Sequence, residues 1–287
     1  VLYTSQGDSQ RVVLAPGTVE EAYDHSRQAF QLAYEYQIPT ILLYDQKLGG
    51  ELVSVPASHF DREPNPATGK MLTEAEIEDA PHDASGKFER FRHDVDDGVS
   101  PRTVPGQKGG RHLVTGNEHN PPGHISEDPD NRVAQMDRRA EKMSAIRAHL
   151  DDDSLNYHYG PENAEYGILT FGSQQGTVEE AVDRLNETGI SVKSLTVGEM
   201  MPYPIDEVSA FLDSVDEALV VEMNASAQFR GLTQKELGAY GDRMASLLKY
   251  NGNPFEPAEV VEGFETSIDG DDQVSGNETR FVPAAGD

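Results

Sequence analysis

Short apolar runs and helical patterns alternate near the start of the chain. Residues 12–15 and 41–44 are apolar runs with the length of a buried strand. Between them, Thr18 and Glu21 have the spacing of a capping box, which predicts a helix over residues 18–36. A strand, a helix and a strand with short connections indicate a right-handed parallel crossover.

The second half of the chain repeats this alternation. Apolar strand patterns separated by amphipathic helical patterns are typical of a parallel sheet covered by helices. Thr177 and Glu180 give the first of these helices a second capping box, and Gly189 is expected to end it. The predicted strands are 167–171, 190–197, 218–222 and 245–250, and the predicted helices are 177–188, 206–212 and 225–237.

The hexapeptide Gly-Thr-Val-Glu-Glu-Ala occurs at residues 17–22 and again at residues 176–181. Each copy follows a predicted strand and opens a predicted helix. Two interpretations stay open, a duplicated fold and two turns that converged on the same capping chemistry. Under either interpretation, the chain contains two similar α/β layers.

The middle of the chain differs from both ends. Residues 56–110 are rich in Pro, Gly, Asp, Glu and His and have few clustered apolar residues, which predicts a linker or a long surface excursion. Residues 115–129 contain two histidines, three carboxylates and three prolines, so they favour neither helix nor strand. We expect an ordered polar loop that is docked between two domains.

A long helical pattern over residues 131–150 follows this loop directly. Apolar side chains recur there at spacings of three and four, which places them on one face of the helix. That face is predicted to be the buried one, and it consists of Val133, Met136, Ala140, Met143, Ile146 and Leu150.

Charge changes the picture of the surface. The 287 residues include 51 acidic and 23 basic side chains, for a net charge of −28, and only 8 of the basic residues are lysine. An acidic surface poor in lysine predicts a protein adapted to high salt, where ions screen the self-repulsion. Such a protein unfolds below molar salt. The alternative is an ordinary acidic protein with a disordered acidic tail.

The same charge disfavours nucleic acid and anionic membranes as partners, because both would repel the chain. No apolar run approaches the roughly 20 residues of a membrane span, and no signal peptide is recognisable, so a cytoplasmic location is predicted. Without cysteine, the chain forms no disulfide and no thiolate-ligated zinc or iron–sulfur site. Because the first residue is Val1, we expect a fragment or a processed chain.

Two segments of the chain are candidates for ligand or metal binding. The turn at residues 172–176 is rich in glycine and precedes a helix, but it lacks the lysine of a phosphate-binding loop. A tight connecting turn is the favoured interpretation. His119 and His124, with Glu118 and Asp128, are candidate metal ligands with irregular spacing. Hydrogen bonds that hold the loop in place are the favoured role for these four residues.

A further candidate group consists of Glu222, Asn224 and Gln228, at the end of a predicted strand and the start of the next helix. The carboxyl ends of parallel strands are where such sheets place ligands and partner contacts. These residues therefore either face a partner or a site, or cap the strand end with their own side chains. The sequence assembles no serine–histidine–aspartate or nucleotide-binding constellation.

Several motifs carry a family resemblance. Met201-Pro-Tyr-Pro204 and Val220-Val-Glu-Met-Asn-Ala-Ser-Ala-Gln228 resemble the C-terminal domain of transketolase-like thiamine enzymes. Residues 97–106, Thr115-Gly-Asn-Glu-His119 and Arg138-Arg-Ala-Glu-Lys142 resemble the alpha subunit of 2-oxoacid:ferredoxin oxidoreductases of the pyruvate or 2-oxoglutarate type. The acidic composition would suit a haloarchaeal member of that family.

The resemblance implies an α/β fold and a division into four segments. Ala227 departs from the family pattern, because relatives often carry Gly at this position. The implied segments are the C-terminal part of a thiamine pyrimidine-binding domain (1–55), a linker or excursion with an interdomain loop and helix (56–160), a transketolase C-terminal-like parallel-sheet domain (161–265) and an acidic tail (266–287). The composition of the tail from about Ser267 predicts that it is mobile.

The resemblance also implies an activity. The complete enzyme would decarboxylate and oxidise a 2-oxoacid, form acyl-CoA and pass the electrons to ferredoxin. Thiamine diphosphate with Mg²⁺ would lie at the interface of the alpha and beta subunits, and a [4Fe–4S] cluster would lie in the beta subunit. The family's motifs that contact thiamine and substrate precede Val1, so no catalytic, cofactor-binding or metal-binding residue is assigned, and the chain alone is expected to be inactive.

Six residues are expected at the interface between domains or with the beta subunit, namely Arg102, Glu118, His119, Glu222, Asn224 and Gln228. Two other functions stay open. The chain is then either a component of another thiamine-dependent dehydrogenase or transketolase-like enzyme, or a non-catalytic scaffold with the same folds. Identifying the electron acceptor that the enzyme uses would test the first alternative. Binding of a beta-like partner without any cofactor-dependent turnover would support the second.

Overall fold

The computed structural model describes residues 1–60, 68–269, 279–282 and 284, and for residues 269 and 279–281 it describes the backbone alone. The chain folds into two compact units, each assembled from separate stretches. The first unit comprises Val1–Val12, Arg27–Thr40 and Arg62–Asp153, and the second comprises Val13–Ser26, Ile41–Asp61 and Ser154–Asp287.

Helices and strands alternate through both ends of the chain, as the sequence predicts. The α-helices are α1 (Val19–Glu35), α2 (Gln46–Gly50), α3 (Glu74–Asp79), α4 (Pro129–Asp152), α5 (Gln175–Glu187), α6 (Ile205–Asp213), α7 (Gln228–Leu237) and α8 (Pro257–Asp269). The strands are β1 (Val12–Leu14), β2 (Thr40–Leu42), β3 (Tyr157–Tyr159), β4 (Tyr166–Thr170), β5 (Val192–Thr196), β6 (Glu199–Met201), β7 (Glu217–Glu222), β8 (Met244–Lys249) and β9 (Thr279–Val282).

The second unit contains a six-stranded sheet in the order β3-β5-β4-β7-β8-β9. Its four inner strands are parallel, with Tyr166 opposite Val192 and Ala218 opposite Met244. The edge strands β3 and β9 run antiparallel to their neighbours. All four strands predicted for this half of the chain are present as the parallel core, which confirms the predicted α/β fold class.

Burial explains why the inner strands have continuous apolar sequences. A parallel strand covered by helices is buried on both faces, and in β7 Leu219, Val220 and Val221 are all at most 2% exposed. Helices α5 and α8 supply Leu185 and Phe264 to the same core. Each fully buried side chain of this kind stabilises the fold by about 1.5–3 kcal/mol.

A second, three-stranded sheet has the order β2-β1-β6. The two strands predicted from residues 12–15 and 41–44 are neighbours in it. Strand β6, which the sequence pattern does not predict, pairs antiparallel with β1 and places Met201 opposite Val13.

The two copies of the repeated hexapeptide have different local structures. At the first copy the prediction of a capping box is half met. The Glu21 amide donates to Thr18 Oγ1 at 3.1 Å, but the Glu21 carboxylate accepts at 2.8 Å from the amide of Gly17, one residue before the N-cap. At the second copy the prediction is wrong, because a 3₁₀ turn at Gly172–Gln174 leads into α5 from Gln175. Thr177 is therefore inside the helix, so the two copies do not share one capping chemistry.

Helix α4 buries a different face from the one predicted. Val133 is 59% exposed and Ala140 is also exposed, whereas Gln135, Arg138 and Lys142 are buried. Only its C-terminal half buries the predicted apolar residues, Ile146 and Leu150. The surrounding backbone explains the difference, because the N-terminal half of α4 faces carbonyl groups that need hydrogen-bond donors.

The end of the chain contains regular structure. Helix α8 extends to Asp269, and residues 279–282 form β9, which pairs with β8 with Phe281 opposite Leu247. Within the predicted tail, residues 279–282 thus pair with the edge strand β8, which offers backbone hydrogen bonds to a further strand. The mobility of the tail stays a prediction. Residues 270–278 lie outside the described part. Among the described residues, no helix has both the length and the apolar composition of a membrane span.

Candidate functional site

The loop at residues 115–129 is organised around the carboxylate of Glu118. Arg139 from α4 binds it with two hydrogen bonds, Nη2 to Oε1 at 2.7 Å and Nη1 to Oε2 at 3.0 Å, and Arg132 donates to Oε2 as well. Hydrogen bonds from Arg139 and then Arg132 lower the pKa of Glu118 to about 2. The two arginines are seven residues apart, so they lie on one face of α4.

Backbone hydrogen bonds also keep this loop in one conformation. Asn120 accepts from Gly123 N at 2.8 Å and donates its own amide to His124 O at 2.9 Å, while Ser126 N donates to Glu118 O at 3.0 Å. Asp128 then caps α4 by accepting from Asp130 N at 3.0 Å. The prediction of an ordered polar loop is confirmed, and its position between two domains stays a prediction.

The two histidines of the loop have separate partners. The ring of His119 packs on Phe91, with centroids 4.0 Å apart, and its Nδ1 lies 2.9 Å from Asn117 O. His124 Nε2 lies 3.3 Å from Asp83 Oδ2. Within the described residues, no group of three or more histidine or carboxylate side chains has a metal-binding arrangement. The hydrogen-bonding role is therefore the one that the geometry supports.

Glu118→Gln is expected to lower the free energy of unfolding by about 2 kcal/mol, because Arg132 and Arg139 lose their charged partner. The folded-state pKa of Glu118 is below its ordinary value of 4.5, so this stability is complete above pH 4.5 and is lost as the pH falls toward about 2. Urea denaturation at pH 7 and constant salt measures the change. Glu127→Gln, an exposed substitution in the same loop, is the control, and equal midpoints for both variants would contradict this role.

Arg102 lies in the first unit and packs there. Its guanidinium donates to Thr68 O at 2.8 Å and lies over the ring of Tyr34, 5.1 Å from the centroid. These contacts account for the position of the side chain by cation–π attraction and hydrogen bonding. A role of Arg102 at an interface stays a prediction.

Glu222 is buried at the end of β7 and holds the start of α7. Its Oε2 accepts from Phe229 N at 2.7 Å and from Asn224 Nδ2 at 2.6 Å, and its Oε1 accepts from Arg230 N at 3.2 Å. The carboxylate therefore takes the place of an N-cap side chain, satisfying amides that have no partner within the helix.

Asn224 and Gln228 complete this turn. Asn224 Oδ1 accepts from Ser226 N and from Gln228 N, both at 3.1 Å. Ala227 has a left-handed backbone with φ 50°, a conformation that favours glycine, so α7 begins at Gln228 rather than at the predicted residue 225. The structure brings Glu222, Asn224 and Gln228 together as a cap, and their contact with a partner stays a prediction.

The turn at residues 172–176 is held by polar side chains of the second unit. Ser173 donates from Oγ to Asp45 Oδ2 at 2.5 Å, and Lys47 Nζ donates to Ser173 O at 2.7 Å. A carboxylate next to the first turn of α5 disfavours a phosphate there, because the two anions would repel each other. The interpretation as a tight connecting turn therefore fits the contacts better than phosphate binding.

Sequence reasoning did not select Arg138 and Lys142 as site residues, although both are buried on α4. The spacing of these two residues along the helix could have indicated that they are buried. They are four residues apart and continue in the same spacing to Ile146 and Leu150, the apolar residues on which the helix packs. Cations in line with a buried apolar stripe indicate that the buried face is partly charged.

Comparisons with known proteins agree with this architecture. Residues 2–138 match the family model described as pyruvate flavodoxin/ferredoxin oxidoreductase, thiamine diphosphate-binding, and residues 164–260 match pyruvate:ferredoxin oxidoreductase core domain II. The structure of 2-oxoglutarate:ferredoxin oxidoreductase from Magnetococcus marinus superposes with a TM-score of 0.73 at 26% identity, over 91% of this chain and 43% of that one.

Sequence relatives show the same pattern. Subunit alpha of 2-oxoacid:ferredoxin oxidoreductase 2 from Aeropyrum pernix is 30% identical over 91% of this chain and 38% of its own length. The 2-oxoglutarate synthase subunit KorA from Methanothermobacter thermautotrophicus is 26% identical over 90% of this chain and 64% of its own length. The chain thus spans less than two thirds of the length of these relatives.

The fold and the two matched models define an α/β protein built from a thiamine diphosphate-binding domain and an oxidoreductase core domain. The chain belongs to the family of 2-oxoacid:ferredoxin oxidoreductase alpha subunits. This confirms the family resemblance drawn from residues 97–106, the Glu118 loop and the residues around Glu222. A haloarchaeal origin stays a prediction.

Proposed function

We propose that this chain is the C-terminal part of the alpha subunit of a thiamine-dependent 2-oxoacid:ferredoxin oxidoreductase. The enzyme converts a 2-oxoacid and CoA to acyl-CoA and CO₂ and passes the electrons to ferredoxin. The superposition on the Magnetococcus enzyme over 91% of the chain is the main support. That structure contains 2-oxoglutarate, coenzyme A and succinyl-CoA, the substrates and product of such a reaction.

The described residues suit a supporting role toward the cofactor. Thiamine diphosphate, when bound, supplies the carbon nucleophile that attacks the carbonyl of a 2-oxoacid. Glu118 and Glu222 have their carboxylates in internal hydrogen bonds, and in the described part no histidine–carboxylate group is arranged to hold Mg²⁺. We place the diphosphate and Mg²⁺ at the interface with the beta subunit, as the family resemblance implies.

The iron–sulfur cluster belongs in the beta subunit under this proposal, because the chain has no cysteine to ligate it. The beta subunit, ferredoxin and CoA are the proposed partners, and Arg102, Glu118, His119, Glu222, Asn224 and Gln228 are proposed to support the interface. A cytoplasmic location and adaptation to high salt stay predictions of the composition.

Reconstitution of the enzyme tests the proposed activity. The full-length alpha subunit and its beta subunit, mixed with thiamine diphosphate, Mg²⁺, CoA and a 2-oxoacid, are expected to reduce a viologen dye. The 287-residue chain alone is expected to give no reduction. Omitting CoA or the 2-oxoacid from the complete mixture is the control. A complete mixture that reduces no dye with pyruvate, 2-oxoglutarate or other 2-oxoacids would contradict the proposal.

The two alternatives give different results in the same assay. Another thiamine-dependent enzyme would turn over a 2-oxoacid with an acceptor other than ferredoxin or the viologen. A scaffold would bind the beta subunit in a pull-down without any cofactor-dependent turnover.

A further inference from the structure

The first unit contains a cavity of about 400 Å³. The lining of this cavity is positively charged, although the chain as a whole is strongly negative. The chain as a whole has a net charge of −28. The cavity wall instead contains four cationic side chains and one carboxylate, that of Asp8. The four cations are Arg132, Arg138, Arg139 and Lys142, all from α4.

Two of these cations are buried and have neutral hydrogen-bond partners. Arg138 is 8% exposed and Lys142 is 7% exposed. Arg138 donates to Gln135 Oε1 at 3.0 Å and to Gly98 O at 3.2 Å, and Lys142 Nζ donates to Gln37 O at 3.2 Å. Among the residues that the structure describes, no carboxylate is hydrogen-bonded to either cation. Burying a charge in this way costs free energy unless an anion compensates it.

A half-buried cation outside the cavity lining, Arg90, adds to the positive field. Arg90 donates to Gln37 Oε1, so the side chain and the carbonyl of Gln37 hold Arg90 and Lys142 near each other. Burial, followed by repulsion from Arg138 and Arg90, lowers the pKa of Lys142 to about 7. The other two cations of the wall, Arg132 and Arg139, share the single carboxylate of Glu118.

Neutral groups therefore fix the positions of Arg138 and Lys142, and the nearest carboxylates, Glu118 and Asp97, act on them only without a hydrogen bond. Gly98 shows how closely this arrangement is packed. A Cβ added to Gly98 would lie 2.2 Å from Arg138 O, and φ is +70° at this residue, so the loop approaches α4 closely only because of the glycine. Cations preorganised by neutral acceptors are typical of anion-binding sites.

We propose that this cavity binds a small-molecule anion with at least two phosphate charges, such as a diphosphate or a phosphate ester. A multivalent anion matches the excess of cations in the cavity wall better than a single carboxylate does. The volume is in the range of small-molecule sites. The packed rings of His119 and Phe91 also line the wall and offer an apolar surface to the rest of such a ligand. The proposal is independent of the activity proposed above, because binding is measured without turnover.

Inorganic pyrophosphate is the probe. At constant ionic strength, it is expected to raise the thermal unfolding midpoint of the 287-residue chain by several degrees with saturable dependence, and acetate is expected to have no such effect. Isothermal titration calorimetry gives the dissociation constant. Lys142→Met is expected to weaken pyrophosphate binding at least ~10-fold, as the loss of one direct charge contact of about 1.4 kcal/mol implies.

Two controls make the result decisive. Lys108→Met removes an exposed lysine of the same unit and is expected to bind pyrophosphate like the wild type. Arg138→Gln, which keeps hydrogen-bonding capacity without the charge, is expected to weaken binding as Lys142→Met does. No saturable binding to the folded wild type would overturn the proposal, as would equal binding to wild type and Lys142→Met or equal stabilisation by acetate.

Discussion

Glu222→Gln is expected to lower the free energy of unfolding by about 3 kcal/mol, because the amide group brings two N–H donors into a site that contains only donors. Both oxygens of Glu222 accept hydrogen bonds from the α7 backbone, and Asn224 donates to Oε2 as well. Whichever way the amide of glutamine is oriented, its NH₂ group faces an N–H. The residue is fully buried, so water cannot satisfy the displaced donors.

Urea denaturation followed by circular dichroism at pH 7 and constant salt measures this loss. Glu217→Gln changes the first, exposed residue of the same strand and is expected to shift the free energy of unfolding by less than about 0.5 kcal/mol. Equal midpoints for Glu222→Gln and the wild type would show that the carboxylate does not cap α7.

Lys142→Met is expected to raise the free energy of unfolding at pH 6, in the absence of added anions, by about 3 kcal/mol. Burial lowers the pKa of Lys142 from 10.5 to about 7, and each pKa unit corresponds to about 1.4 kcal/mol, so removing the charge recovers at most about 5 kcal/mol. Loss of the hydrogen bond to Gln37 O costs about 1 kcal/mol of this gain, and relaxation around the charge reduces it further.

The gain should depend on pH with a definite sign. Because the pKa of Lys142 is lower in the folded than in the unfolded state, the unfolded state binds more protons between pH 7 and 10.5. Wild-type stability therefore rises with pH through this range, and the advantage of Lys142→Met declines. The charged groups around Lys142 are Arg138, Arg90, Arg139 and Asp97. Burial lowers the pKa of Arg138 and of Arg90 to about 10, so the two arginines keep most of their charge only up to about pH 9.

Denaturation at pH 6 and at pH 9 with the same salt gives the two differences. Lys108→Met is expected to show little change at either pH, since Lys108 is exposed. If Lys142→Met is less stable than the wild type at pH 6, burial of the Lys142 charge does not lower the free energy of unfolding as expected. A stabilised variant that no longer binds pyrophosphate would show that the fold retains Lys142 at the expense of stability.

The sheet of the second unit was predictable because both of its requirements are local. Continuous apolar runs mark strands that are buried on both faces, and the amphipathic patterns between them mark the covering helices. The start of α7 was not predictable in the same way. It depends on the left-handed backbone at Ala227 and on a carboxylate from the preceding strand, which a capping rule based on adjacent residues does not include.

Helix α4 was predictable only in part. The spacing of apolar residues predicted where this helix lies and that Ile146 and Leu150 are buried, but it did not predict which face of the N-terminal half is buried. Gln135, Arg138 and Lys142 are buried there because Phe91 O, Gly98 O and Gln37 O, which are far away in sequence, accept their hydrogen bonds. Hydropathy patterns count such residues as exposed, since they carry no information on distant acceptors.

The same distinction applies to the candidate site residues, of which the sequence predicted some and missed others. Glu118, Glu222, Asn224 and Gln228 were selected from their positions next to regular elements, and the structure gives each of them a defined hydrogen-bonding role. The partners of Glu118 were not selected, although Arg132 and Arg139 lie on the next helix. Neither was the cavity lined by Arg138 and Lys142, which forms only when residues 6–10, residues 37–39 and α4 come together.

The sequence alone determined the class of fold, the strands of the parallel sheet, the long helix after the polar loop and the family, because periodicity and short motifs are properties of neighbouring residues. Tertiary structure decided which face of α4 is buried, how α7 is capped and where uncompensated positive charge collects. The physical reason is that burial and pairing of polar groups depend on partners distant in the chain. The free energy of a buried charge is set by those partners and by the surrounding dielectric, and neither can be read from neighbouring residues.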